Sequence, residues 1–243
     1  MGNSSAFSAS VVTLLKQRLP VTLYLLIYTQ LFSLLVAIPM GVYAAYRANR
    51  LFDRFSNSLA FGLLSLPNFV VAVVLVLIFS IRFHLFPAAP RYVSLFDHPV
   101  THMKNFFLPV IANSVGEIAV LMRLLRADMV ITLQNDFVTM ARAKGLSTSR
   151  ILFRHAFRPS TFSLITAAAL NVGALIGGSV IIEVLFGMPG MGKLTIDAIY
   201  RRDFLVVQAC VALFAVAFVL VNFAVDLAYA FIDPRIRHAR ALA

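Results

Sequence analysis

The sequence predicts an all-α polytopic membrane protein with about five transmembrane helices, and three observations carry that prediction. Of the 243 residues, 60% are hydrophobic and 13% are charged, against roughly 45 to 50% and about 25% in soluble domains. Mean hydropathy is +0.89. The apolar residues lie in long blocks instead of alternating or amphipathic patterns. Because backbone exposed to lipid must satisfy its own hydrogen bonds, each block is read as helix.

In order, the blocks run Pro20 to Tyr46, Ser56 to Ser80, Phe106 to Leu125, Phe162 to Val184 and Leu205 to Ile232. Each reaches the roughly 20 residues that cross about 30 Å of hydrocarbon. Residues 1–19 lack the basic start and apolar core of a cleavable signal peptide, so the first span itself directs insertion. The expected division is an external N-terminal segment at 1–19, a transmembrane domain at 20–232 with a cytoplasmic loop at 126–159, and a cytoplasmic tail at 233–243. Pro39, Pro67 and Pro109 fall within or near spans, where neighbouring helices can satisfy a freed carbonyl. Ala169, Gly173 and Gly177 repeat at four-residue spacing, a stripe where another helix can approach closely. Cys210, the one cysteine, lies inside an apolar block and reads as a small core residue; no intrachain disulfide or cysteine-based metal site is available.

A net charge of +11 would suggest nucleic acid in a soluble chain. Here the basic residues flank apolar blocks, which points to lipid head groups and topology instead. Thirteen of the 21 Lys and Arg residues fall in one alternating set of segments, at 47–54, 123–158 and 235–240. The richer set is expected in the cytoplasm. That orientation puts the N-terminus outside and the C-terminus inside.

The stretch DFVTMARAKGLSTSRILFRHAFRP, residues 136–159, lies between two spans on the cytoplasmic side. Asp136 is placed to cap a short helix and Gly145 to end it in the left-handed conformation. Phe137, Met140 and Ala141 then share a face suited to a groove on another protein. Arg150, Arg154 and Arg158 recur every fourth residue opposite Phe153, Ala156 and Phe157, an interfacial pattern equally consistent with a basic loop lying on lipid. Pro159 suits the first turn of the next span.

Other features carry less. Gly187, Gly192 and Lys193 fit the spacing of a phosphate-binding loop, but Leu194 stands where Ser or Thr is required and no strand precedes it; the glycines read as a re-entrant turn at the outer mouth. Glu117 and Asp226 lie inside apolar blocks, where an acid at a helix centre costs about 2.5 to 3.5 kcal/mol. Glu117 is therefore expected to face the translocation path or a neighbouring helix, not lipid, and Asp226 to anchor the last helix. His84, His98 and His102 share one outer loop at spacings that favour solvated histidines over a metal site.

Three stretches together, QNDFVTMARAKGLSTSRILFRHAFRP, FGMPGMGKLTIDAIYRRD at 186–203 and VDLAYAFIDPRIR at 225–237, resemble the permeases of dipeptide, oligopeptide and nickel ABC importers, in the binding-protein-dependent inner-membrane family. The resemblance runs from about Val11 to Arg237. It implies a type I importer core in which the 136–146 helix sits in a cleft of an ATP-binding subunit, with Phe137, Met140, Ala141, Arg142, Ala143, Lys144, Gly145 and Leu146 as ATPase-coupling residues. Thr139 stands where the wider importer pattern has Glu, as is usual in the peptide branch. Relatives usually begin with one further spanning helix, which the resemblance implies is peripheral to the five present.

The expected function is the transmembrane permease subunit of an ATP-driven importer for peptides, in the bacterial cytoplasmic membrane and without catalysis of its own. The resemblance implies a homologous permease, two cytoplasmic ATP-binding subunits and an extracytoplasmic substrate-binding protein as partners. No cofactor or metal is expected on this chain, with ATP and magnesium acting at the partner ATPases. The rival is a secondary transporter driven by an ion gradient, with Glu117 as its coupling carboxylate, but such a carrier has no need of a cytoplasmic docking helix.

Overall fold

In the computed structural model, which describes residues 4, 7, 9–90 and 92–232, the apolar blocks are helices that overrun their expected ends. The elements are α1 (Val11–Tyr46), α2 (Leu51–Leu64), α3 (Asn68–Leu75) with a π-helical turn at Val76–Arg82, α4 (Pro99–Leu133), α5 (Asp136–Ala143), α6 (Thr148–Arg150) with a π-helical turn at Ile151–Ala156, α7 (Phe157–Leu185), α8 (Met191–Tyr200) and α9 (Phe204–Ile232). By length and composition α1, α4 and α9 can each cross a membrane. Two bent pairs, α2 with α3 and the run from α6 through α7, raise the candidate crossings to as many as five when each pair is counted as one span. The expected tail at 233–243, with Arg235, Arg237 and Arg240, lies outside the described residues.

The 1–19 segment is not separate from the first span. α1 begins at Val11 and carries Pro20 and Pro39 inside it. The cause is packing: Val11, Leu14 and Leu15 are buried with Met191, Leu194 and Ala198 of α8 and Val206 and Cys210 of α9. With 36 residues in α1 and 35 in α4, both helices are about 50 Å long at 1.5 Å per residue. Both are longer than the hydrocarbon core of about 30 Å.

The second block is also not one straight helix. α2 and α3 meet at a 100° bend, and the break falls at Ser65 to Pro67, where the residue before a proline is driven out of the α conformation. α7 bends by 51° near residue 174. The predicted small-residue stripe is half right. A Cβ on Gly173 would come within 2.4 Å of the Phe218 ring of α9, whereas Gly177 has nothing within 4 Å. The second close approach is at Gly178, against the Asn113 side chain of α4, because the bend rotates the face that α7 presents.

Helix α4 is the central post. It packs most extensively on α1 and also meets α2, α3 and α7. Toward the α4 C-terminus the core is Ala37, Val42, Leu121, Met122, Leu125 and Met129 with Leu152, Ala156 and Leu164. Toward the other end it is Val21, Leu25, Phe106, Leu108, Ile182 and Phe186. One ion pair fastens α2 to this post: Arg126 donates through Nε to Asp53 Oδ1 at 2.8 Å and through a terminal nitrogen to Oδ2 at 2.6 Å. Asp53 also accepts from the Asn49 N–H and the Asn57 amide, which fixes the turn between α1 and α2.

Candidate functional site

The chain between α4 and α7 folds back on itself. α4 stops at Leu133, and α5 starts at Asp136 with Asn135 in the cap position and no side-chain capping bond. Asp136 is therefore not the cap. It is the first helical residue, where its charge complements the positive end of the helix dipole. The other end closes as expected: Gly145 has φ +75°, the Gly145 N–H donates to Arg142 O, and the Leu146 N–H donates to Ala141 O at 3.2 Å. This double closure satisfies carbonyls that a helix end would otherwise leave open.

The faces of α5 differ from the expected ones. Val138 and Ala141 are buried and pack on Ile151, with Leu133 and Leu146 at the margin. Phe137 and Met140 are exposed, at 40% and 60%, together with Thr139, Arg142, Ala143, Lys144 and Gly145. Ala141 is therefore buried within the loop and Leu146 partly so. The sequence spacing put Ala141 beside Phe137, but the π-helical turn at Ile151–Ala156 brings Ile151 under the helix and claims its Val138–Ala141 edge. The same turn revises the interfacial pattern. Ile151, Leu152 and Ala156 are the buried residues and Phe153 is 56% exposed, on a segment whose Arg150, Arg154 and Arg158 are also exposed.

This bracing gives α5 two mechanical connections. One is covalent and short, through Gln134 and Asn135 to α4. The other runs through Ile151 into the helix that becomes α7. Thr132 and Ser160 hydroxyls, 3.4 Å apart, tie those two helices together beside it. A push on the exposed face of α5 therefore reaches α4 and α7 together.

Deeper in the bundle, Glu117 is 7% exposed on α4. It faces Gln30 and Ser33 of α1, not lipid, as the insertion argument requires. The carboxyl group lies beside the Gln30 amide and the Ser33 hydroxyl of that neighbouring helix. Neither carboxylate oxygen, nor the Gln30 amide, nor Ser33 Oγ, nor Asn113 Oδ1 has a partner. Asn113 reaches Thr29 only at 3.5 Å through Nδ2. The α1–α4 seam is thus polar over a full turn.

At the opposite end of α7 lies an acid that the sequence reading passed over. Glu183 is fully buried. It accepts from Thr22 Oγ1 at 2.6 Å and from the Lys193 N–H at 3.1 Å, while the Met191 N–H donates to Thr22 Oγ1 at 2.8 Å. Glu183 and Thr22 together cap α8 from two other helices. The glycines of GMPGMG are there to admit this carboxylate. A Cβ at Gly190 would lie 2.3 Å from Glu183 Cδ, and one at Gly192 would lie 2.6 Å from Val180 Cα. The N–H groups a phosphate would need in the GxxxxGK stretch are engaged internally, those of Gly187, Met188 and Gly190 by backbone carbonyls, that of Met191 by Thr22 and that of Lys193 by Glu183. The signal in the sequence was only an acid ending an apolar block a few residues before a glycine-rich stretch; its partners on other helices left no local sign.

His102 is not solvated. It is fully buried, with Nε2 3.1 Å from Tyr28 Oη and Nδ1 2.7 Å from Val93 O, and it stacks on Phe106. His84 and His98 are exposed. Asp226 falls within α9; its side chain is outside the described residues.

Residues 37–238 match the family described as binding-protein-dependent transport system inner membrane component. A putative peptide transport system permease protein of Brucella abortus (strain 2308) is 37% identical over 98% of this chain and 76% of its own length. The dipeptide transport system permease protein DppB of Bacillus subtilis is 36% identical over 95% of this chain and 72% of its own. An oligopeptide permease, AppB of the same organism, is 33% identical over 94% and 72%. Among solved structures, an inward-facing MetNI methionine ABC transporter matches with a TM-score of 0.74 at 16% identity, over 91% of this chain and 97% of that one. That match establishes a shared fold.

Proposed function

The chain belongs to the binding-protein-dependent transport system inner membrane components, and from that premise we propose that α5 is where ATP-driven force enters this permease, through Phe137, Met140 and the Arg142–Gly145 end. It is a multi-pass, non-catalytic permease subunit of an ABC importer. The observation that carries the coupling role is the division of α5 into a buried edge held by Ile151 and an exposed apolar edge that no described residue covers. An isolated eight-residue helix is marginal in water; this one is held ready by its anchors. Bilateral support from α4 and α7 converts movement of a docked ATPase into movement of the spans. Access then switches between the two membrane faces as a population shift between two packings.

The cargo we assign is peptides, the class carried by the relatives named above. The setting is the bacterial cytoplasmic membrane, with a second permease subunit, two cytoplasmic ATP-binding subunits that hold ATP and magnesium, and an external binding protein. Glu117 belongs to the part of the α1–α4 seam that rearranges during the cycle. The test is co-purification of the chain with its ATPase subunits. Phe137→Ser with Met140→Ser is expected to leave the chain inserted and folded but to release the ATPases. Full retention and full uptake in that variant would remove α5 from the coupling path.

A further inference from the structure

The turn that joins α1 to α2 carries a group of residues that coupling does not use. The last turn of α1 and the first turns of α2 border an open cavity of about 560 Å³ lined by Tyr43, Arg47, Arg50, Leu51, Phe52 and Arg54. Three arginines line it, and among the described residues no acidic side chain does. The nearest acid, Asp53, is turned away into its pair with Arg126. Arg47 stacks over the Tyr46 ring at 5.5 Å, and its Nε is buried without a hydrogen-bond partner. Tyr43 and Phe52 meet edge to face at 4.7 Å and form an aromatic wall. Leu51 and Phe55, beside the arginines, are 86% and 67% exposed.

We propose that this cavity binds the head group of an anionic phospholipid, the phosphate lying among Arg47, Arg50 and Arg54 and the acyl chains running past Leu51 and Phe55. Planar guanidinium groups match phosphate oxygens in pairs, and Arg50 and Arg54 are exposed at the cavity. Charge alone would serve any anion. The apolar residues next to the arginines select lipid, since a soluble phosphate leaves Leu51 and Phe55 in water. α2 begins at this point with no side-chain cap, so its first N–H groups add to the positive field. The occupied site would clamp the α1–α2 turn to the membrane surface, and through Asp53 and Arg126 it would steady the α4 post. The proposal requires only that this turn lie at a membrane surface, so it stands or falls separately from the coupling role of α5.

The test titrates head-group spin-labelled phosphatidylglycerol into the full chain assembled with its partner subunits in phosphatidylcholine nanodiscs, and reads the immobilised fraction. Each basic residue near a charged surface contributes about fivefold to association, and three together on the order of a hundredfold. Arg47→Gln, Arg50→Gln and Arg54→Gln combined should weaken phosphatidylglycerol binding by that factor and leave labelled phosphatidylcholine unchanged. If the triple variant fails to assemble, Arg50→Gln with Arg54→Gln, both exposed, should still weaken it by about twentyfold or more. Arg154→Gln, outside the cavity, should have no effect. Unchanged affinity in the variants overturns the proposal, and so does an equal loss in Arg154→Gln, which would indicate a diffuse field. Complete displacement of the lipid by soluble glycerol phosphate at equal concentration would reassign the site to a free phosphoester. Loss of the ATPase subunits with phosphatidylglycerol binding intact would reassign it to a protein contact.

Discussion

Separating the two edges of α5 by substitution is the sharpest test of how force enters this subunit. Met140 is 60% exposed and Val138 is fully buried, two residues apart on one short helix. Truncating Met140 to Ala removes exposed apolar surface that, in the proposed coupling role, a docked ATPase covers. With about 100 Å² of side chain available to be buried, the loss is about 2.5 kcal/mol at 25 cal/mol per Å², or about seventyfold in the affinity for the ATPase. Val138→Ala deletes two methyl groups from the contact with Ile151 and costs about 1 to 2 kcal/mol of loop stability. The first variant should lose ATPase subunits on dilution while its loop resists limited proteolysis as before. The second should make the loop more sensitive to protease, with ATPase loss only as a consequence. Ala141→Arg should behave as a severe form of the second, because it drives a charge into the same buried edge. If Met140→Ala retained its ATPases at every dilution and Val138→Ala released them with the loop intact, the assignment of the two edges would be reversed.

Three further outcomes follow from the packing. Arg126→Met removes the cationic partner of Asp53 and leaves it the Asn49 N–H and the Asn57 amide, so it should destabilise the assembled permease by about 1 to 3 kcal/mol, read as a lowered melting temperature; an unchanged transition would show the pair to be dispensable. Gly190→Ala should push Glu183 off the α8 cap and expose the 186–203 segment to protease, and adding Glu183→Ala should relieve the clash in a double-mutant cycle; additive losses would mean that the two residues do not touch. Glu117→Met replaces a buried acid by an apolar group of similar size, so assembly should be unharmed or improved while peptide uptake falls. Normal uptake would leave the acid without a transport role.

How far the sequence disclosed this arrangement depends on the range of the interaction concerned. Spans were legible because lipid dictates long apolar blocks, and the stop of α5 was legible because a glycine in the left-handed region is a local requirement. The break between α2 and α3 also had a local sign, Leu66 before Pro67. What was not legible rests on contacts between distant residues. Val11 to Leu15 join α1 because α8 and α9 lie beside them. Asp53 finds Arg126 across 73 positions, which no spacing rule anticipates. Ala141 turns inward because a π-helical turn delivers Ile151 beneath it, and an α-helical count through 151–156 places that residue on another side. Glu183 escaped because its partners, Thr22 and Lys193, come from other helices.

The π-helical turn at Ile151–Ala156 also acts as an angular setting. A π turn holds one residue more than the α turn it replaces, and one residue of α-helix subtends about 100°. Deleting a single residue there would let the segment relax into continuous α-helix without breaking the chain's path. It would also turn everything before it by roughly a quarter of a revolution relative to α7. Ile151 would leave the underside of α5, and Phe137 and Met140 would point in a new direction with every contacting residue still present. The phase between docking helix and spans is therefore carried by chain length at this one place. Two permeases with identical docking residues but one residue more or less in this stretch would present them to different ATPase surfaces, which offers a way to keep related transporters from exchanging their motors.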